Sequence, residues 1–115
     1  MTLKDCYTVM GGDYNGVMKR LRSEKLVLKF VTSFLEVSNM ADLRNALVVG
    51  DQTRAFEIAH TMKGVCLNLG FSKLGESSSK LTDALRTEIS DEVPALMEQV
   101  EADYAEVVRV MQLRD

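Results

Sequence analysis

The chain has no tryptophan, one proline, one histidine and two cysteines among its 115 residues. Each scarcity excludes something. With Pro94 alone and few clusters of turn-forming residues, little interrupts the backbone, and long helices are expected. Cys6 and Cys66 lie far apart and form neither a zinc-ligand spacing nor a disulfide framework. A buried free cysteine behaves as a small apolar residue, so a reducing compartment, the cytoplasm, is the expected setting. No apolar run approaches the roughly 20 residues needed to cross a bilayer. The opening Met1-Thr2-Leu3-Lys4-Asp5 lacks the apolar stretch of a signal peptide. A basic excess is missing too. The formal net charge of −3 gives no electrostatic footprint for nucleic acid.

The residues that are present suit one helical domain spanning residues 1–115. At 46% hydrophobic and 27% charged, the chain holds enough apolar material for a core and a solvated surface. Leu3, Cys6, Tyr7 and Met10 have the spacing of a short helix ended by Gly11-Gly12. Asp13 suits the cap of a second segment, in which Val17 and Leu21 suggest a further turn or two. Ser23 precedes a longer run to about Val37. Inside it, Lys25 to Val31 carries β-branched residues and partial alternation, as a strand would. Helical spacing on through Phe34 and Leu35, and the lack of a strand partner, favour helix.

Asn39 reads as an N-cap with Asp42 in an acidic first turn. It would lead a helix with Leu43, Ala46 and Leu47 inward, stopped by Gly50. Asp51 then caps a helix that runs to Gly70. Ser72 is expected to cap the next, with Leu74, Ser78, Leu81 and Leu85 on one face. Gly75 and Ser77-Ser78-Ser79 weaken that helix intrinsically and read as small residues that admit a close neighbour. The link between these two helices is short enough to demand an antiparallel hairpin. After a loop at Thr87 to Ser90, Asp91, Glu92 and Pro94 suit a first turn. Val93, Leu96, Met97, Val100, Tyr104, Val107, Val108 and Met111 carry a long final helix. The expected fold is all-α: an antiparallel four-helix bundle with an additional short N-terminal helix.

The only histidine lies in the helix from about Asp51 to Gly70. At about 100° per residue, Ala55, Ile58, Ala59, Met62, Val65, Cys66 and Leu69 gather on one side as a core-facing stripe. His60 falls nearly opposite. Phe56, Gly64 and Leu67 share its outer face, Lys63 is nearby, and Phe71 comes just past the helix end.

The string Ala59-His60-Thr61-Met62-Lys63-Gly64, with Gly70 and Leu74 beyond it, resembles the histidine-containing phosphotransfer (HPt) domain of bacterial phosphorelays. That family's pattern is a histidine, two variable residues, then lysine and glycine, with a second glycine further on. Gly50-Asp51 ahead of the helix is similar as well, and the resemblance is strongest from Gly50 to about Arg86. It implies a phosphocarrier with no kinase activity of its own. His60 would accept a phosphoryl group from the aspartate of one receiver domain and pass it to another. The implied partners are response-regulator receiver domains and a hybrid sensor histidine kinase. No cofactor is implied, Mg²⁺ belonging to the receiver, and a monomer suffices.

Each residue has a physical reason under that resemblance. Neutral imidazole is a nucleophile near pH 7, since its ordinary pKa is about 6.5. Lys63, one turn along, would sit beside the phosphoryl oxygens as a point charge, although it also reads as an ordinary solvated lysine. Gly64, at i+4, would remove a side chain that crowds the histidine. Glycine inside a helix costs about 1 kcal/mol relative to alanine, and clearance for a partner accounts for that cost. Phe56, Leu67 and Phe71 have two readings of equal weight: a docking surface for the partner, or cover for the chain's own N-terminal turns. Many family members place a glutamine on the next helix, facing the histidine. The matching position here is Thr82, which is shorter, and no orienting role is carried over to it. Arg86, one turn further, is expected on the phosphate side.

Three other readings compete. A non-catalytic adaptor would use Phe56, Leu67 and Phe71 only to dock. A di-iron bundle would use Glu57-Ile58-Ala59-His60, but needs two such elements aimed at the core. A serine hydrolase would draw on Ser77 to Ser79, which lack a nucleophile elbow.

Overall fold

A computed structural model describes residues 1–37 and 40–115. Its helices are α1 (Leu3–Met10), α2 (Tyr14–Leu21), α3 (Glu24–Glu36), α4 (Met40–Val49), α5 (Gln52–Asn68), α6 (Ser72–Ala84) and α7 (Val93–Met111), with no strand among the described residues. Side-chain caps set several starts. Thr2 and Asp5 form a reciprocal capping box on α1. Asp13 accepts from the Gly16 N–H at 2.9 Å, Ser23 from Leu26 at 3.4 Å and Asp51 from Arg54 at 3.1 Å. The ambiguous segment Lys25–Val31 is helical throughout. The Asn39 cap expected for α4 lies outside the described residues.

Four legs surround the core. α3 and α4 lie in succession along α7, in the opposite direction. Leu28 shares a groove with Met111, and the Tyr104 hydroxyl donates to the Leu35 carbonyl at 3.5 Å. Further along, Arg44 pairs with Glu101 at 3.1 Å, and Val48 lies in a groove with Pro94. α5 and α6 form the expected hairpin. Gly70 takes a left-handed conformation (φ 74°), and the Phe71 N–H returns to the Cys66 carbonyl at 2.9 Å. The turn is so tight that Phe71, not Ser72, is the N-cap residue of α6. It caps through the backbone alone, and Ser72 is already the first helical residue. A Cβ at Gly75 would lie 2.7 Å from Leu67 Cδ2, so α5 and α6 approach as closely as the small residues suggested.

The bundle carries two additional N-terminal helices where the sequence suggested one, each of eight residues. They are bolted to the end of α5. The Tyr7 hydroxyl donates to the Leu69 carbonyl at 2.7 Å, and the Asp13 N–H to Gly70 at 2.9 Å. Arg20 donates to the carbonyls of Asn68 (2.9 Å) and Leu67 (3.2 Å). The last carbonyls of a helix have no partner within it, and here α1 and α2 satisfy them. Cys6 and Cys66 are both buried thiols. Burial pushes the Cys66 thiol up to about 12.

Candidate functional site

The inner face of α5 anchors the site. Ala55, Ile58, Ala59, Met62, Cys66 and Leu69 are buried as the wheel placed them. Val65 departs from that reading: it is 37% exposed at the edge of the stripe, where it lines a groove. With one side of α5 fixed in the core, the opposite side is held at a set angle to solvent. His60 lies there, exposed, and so does Glu57. The Glu-x-x-His element therefore points away from the core that a di-iron centre would occupy. Among the described residues no group of three or more His, Cys, Asp or Glu side chains is placed to hold a metal ion.

Side chains on a helix lean toward its N-terminus, over the turn before their own. The His60 ring accordingly rests on Phe56, one turn back, with ring centroids 5.8 Å apart and planes 23° from parallel. Among the described residues, the ring makes no other contact of that kind and its nitrogens no hydrogen bond. By the same lean, a side chain at position 64 would fall toward His60. Glycine removes it. A Cβ built there would meet no side chain and no other element within 4 Å among the described residues. Lys63 is half-buried and forms no ion pair among the described residues.

The chain just past α6 contributes at one corner. The Arg86 guanidinium lies 5.6 Å from the Phe56 ring centroid and pairs with Asp83 at 3.1 Å. Arg86 thus reaches the histidine's neighbour, not the histidine. Thr82 is fully buried and its hydroxyl donates to the Ser78 carbonyl at 2.7 Å. It faces inward, away from the imidazole.

The apolar neighbours divide. Leu67 is 50% exposed, on the same outer face as His60. Phe71 is not on that surface. It is 2% exposed, stacks on Tyr7 (5.7 Å between centroids) and meets Phe34 at 6.0 Å. Its place in a docking surface is corrected: the chain folds back at Gly70 and carries Phe71 beneath α1.

A groove on the flank of α5 was not anticipated from the sequence. Beside Gly64, α2, α3 and α5 enclose an open space of about 680 Å³. Phe30 (47% exposed), Val37 (68%) and Val65 line it. The signal was available. Phe30 falls outside the Val27–Val31–Phe34 stripe that α3 buries, so a second apolar stripe was present on that helix.

Chemically, the site offers an exposed imidazole ring, a nearby cation with no ion pair among the described residues, a vacancy beside the ring and an apolar groove that starts at the vacancy. A family model described as Hpt domain matches residues 29–110, well over half of the chain. No curated protein and no solved structure matches it.

Proposed function

The chain belongs to the Hpt domain family, the histidine phosphotransfer modules of phosphorelays, and from that premise we propose that it is a phosphocarrier with His60 as acceptor and donor. The observation that carries this reading is the exposed His60 ring, flanked by the vacancy at Gly64 and by Lys63, which has no ion pair among the described residues. Hpt domains are carriers, not kinases, and they interact with receiver domains and kinases.

In the proposed step, a lone pair on a neutral imidazole nitrogen of His60 attacks the phosphorus of a receiver's aspartyl phosphate. The N–P bond forms as the P–O bond breaks, and the aspartate carboxylate leaves with the bonding pair. The other ring nitrogen keeps its proton or yields it to water. Donation to a second receiver runs the same step in reverse. Such transfer is mainly positioning and charge neutralisation. Lys63 supplies a point charge to the phosphoryl oxygens. Gly64 leaves room for the partner's aspartate and its divalent cation, so this chain needs no cofactor. Phe56, Leu67 and the groove beyond Gly64 form the apolar surround that docks the receiver. Arg86 stands at the rim, held by an exposed ion pair of the kind worth about 0–1 kcal/mol, and can turn toward phosphate. The partners are receiver domains and a hybrid sensor kinase, the setting is cytoplasmic, and a monomer suffices.

The test is incubation with a phosphorylated receiver. The wild-type chain is expected to gain an acid-labile, base-stable adduct that His60→Gln lacks. An adduct that persists in His60→Gln would overturn the assignment. Tight receiver binding with no adduct would favour the adaptor reading.

A further inference from the structure

We propose that Phe56 is the positioning residue for His60, orienting the imidazole through its face and leaving both nitrogens open for transfer. This inference rests on the phosphocarrier reading above. An exposed histidine on a helix keeps more than one χ1 well and a broad χ2. Thr82 on α6 is unavailable as a polar orienting group, since it is buried with its hydroxyl donating to the Ser78 carbonyl. The one aromatic-ring contact of the imidazole among the described residues is with Phe56, near-parallel at 5.8 Å, and its nitrogens make no hydrogen bond there.

The geometry suits the chemistry. The lone pair that attacks phosphorus lies in the plane of the imidazole, at its edge. A stack restrains the ring by its face and consumes neither nitrogen, whereas an orienting hydrogen bond occupies one of them. Phe56 is itself restrained. It is half-buried, and the Arg86 guanidinium packs at its ring, held in turn by Asp83. The Phe56 ring that holds the histidine is thus itself held by a residue just past α6, which Asp83 of α6 anchors.

An aromatic pair contributes about 0.5–1.5 kcal/mol beyond area burial, equivalent to about two- to twelvefold in the population of the oriented ring. The experiment compares wild type, Phe56→Leu and Phe56→Tyr in single-turnover transfer from a phosphorylated receiver over a range of receiver concentrations. Phe56→Leu is expected to lower the rate constant at saturation about three- to tenfold. The half-saturating concentration should shift by a smaller factor than the rate, because leucine keeps an apolar contact for docking, and Phe56→Tyr should restore most of the rate. In parallel, the His60 ring protons should show a ring-current shift in NMR that Phe56→Leu abolishes and Phe56→Tyr keeps. An unchanged rate in Phe56→Leu overturns the inference. So does a loss confined to the half-saturating concentration, which would make Phe56 a docking contact only. A wild-type chain that takes no phosphoryl group removes the carrier reading and this role together. A wild type that transfers no faster than Phe56→Leu removes this role alone.

Discussion

At position 64 the helix forgoes about 1 kcal/mol that alanine would supply, although a Cβ there would meet no side chain and no other element within 4 Å among the described residues. The fold does not require the glycine. Gly64→Ala is therefore expected to raise stability by about 0.5–1 kcal/mol, read as a higher melting temperature. Gly64→Gln should keep the fold by circular dichroism and slow phosphoryl transfer, because its longer side chain leans over His60. Unslowed transfer in Gly64→Gln would show that the vacancy serves something else. At this scale the sequence was largely readable. The outward direction of His60 came from the spacing of apolar residues alone, because one stripe fixes the opposite face. The contact between Phe56 and His60 also lay within reach, since residues four apart on a helix are neighbours. Phe71 was not readable. A helical wheel ends where the helix ends and cannot show that the chain doubles back under α1.

The two helices that lie wholly outside the family match, α1 and α2, are fastened to the end of the element that carries the histidine. They and the turn between them supply donors to four successive carbonyls, from Leu67 to Gly70, and cover Phe71 with Tyr7. Phe71→Ala is accordingly expected to cost about 3–5 kcal/mol, the usual range for deleting a buried phenyl ring, measured by chemical denaturation. Leu67→Ala, on a half-exposed residue, should cost much less. Near-equal losses would return Phe71 to the surface. The element boundaries were legible wherever a polar cap marked them, as at Asp13, Ser23 and Asp51. The start of α6 was not, because its cap is made by the backbone of an aromatic residue. The second stripe on α3 was masked by its first. One well-formed stripe is enough to distinguish helix from strand, and Phe30 adds nothing to that distinction.

At the scale of the whole molecule, three buried groups among the described residues share a direction of titration. Burial raises the Cys6 and Cys66 thiols and the Tyr7 hydroxyl. For Cys66 the ordinary value is 9.0 and the folded value about 12. The unfolded chain releases this proton as pH passes the ordinary value, while the folded chain still holds it. Between those values the unfolded state binds fewer protons, so stability falls as pH rises. Denaturation midpoints are expected to be level with respect to this group from neutral pH to about the ordinary thiol value, and to decline above it. Cys66→Ala should lessen the slope of that decline, whatever it does to the neutral-pH level. An unchanged slope would mean that the thiol is more accessible than its burial indicates.

The near-parallel pair of rings at His60 also makes the carrier observable. The natural chain contains no tryptophan, so an indole introduced by Phe56→Trp would be its sole source of tryptophan emission. That emitter would lie against the imidazole, whose charge would change with each arrival and departure of a phosphoryl group under the proposed carrier role. The occupancy of the relay step then becomes an optical signal, tracked continuously in solution without a label on the phosphate.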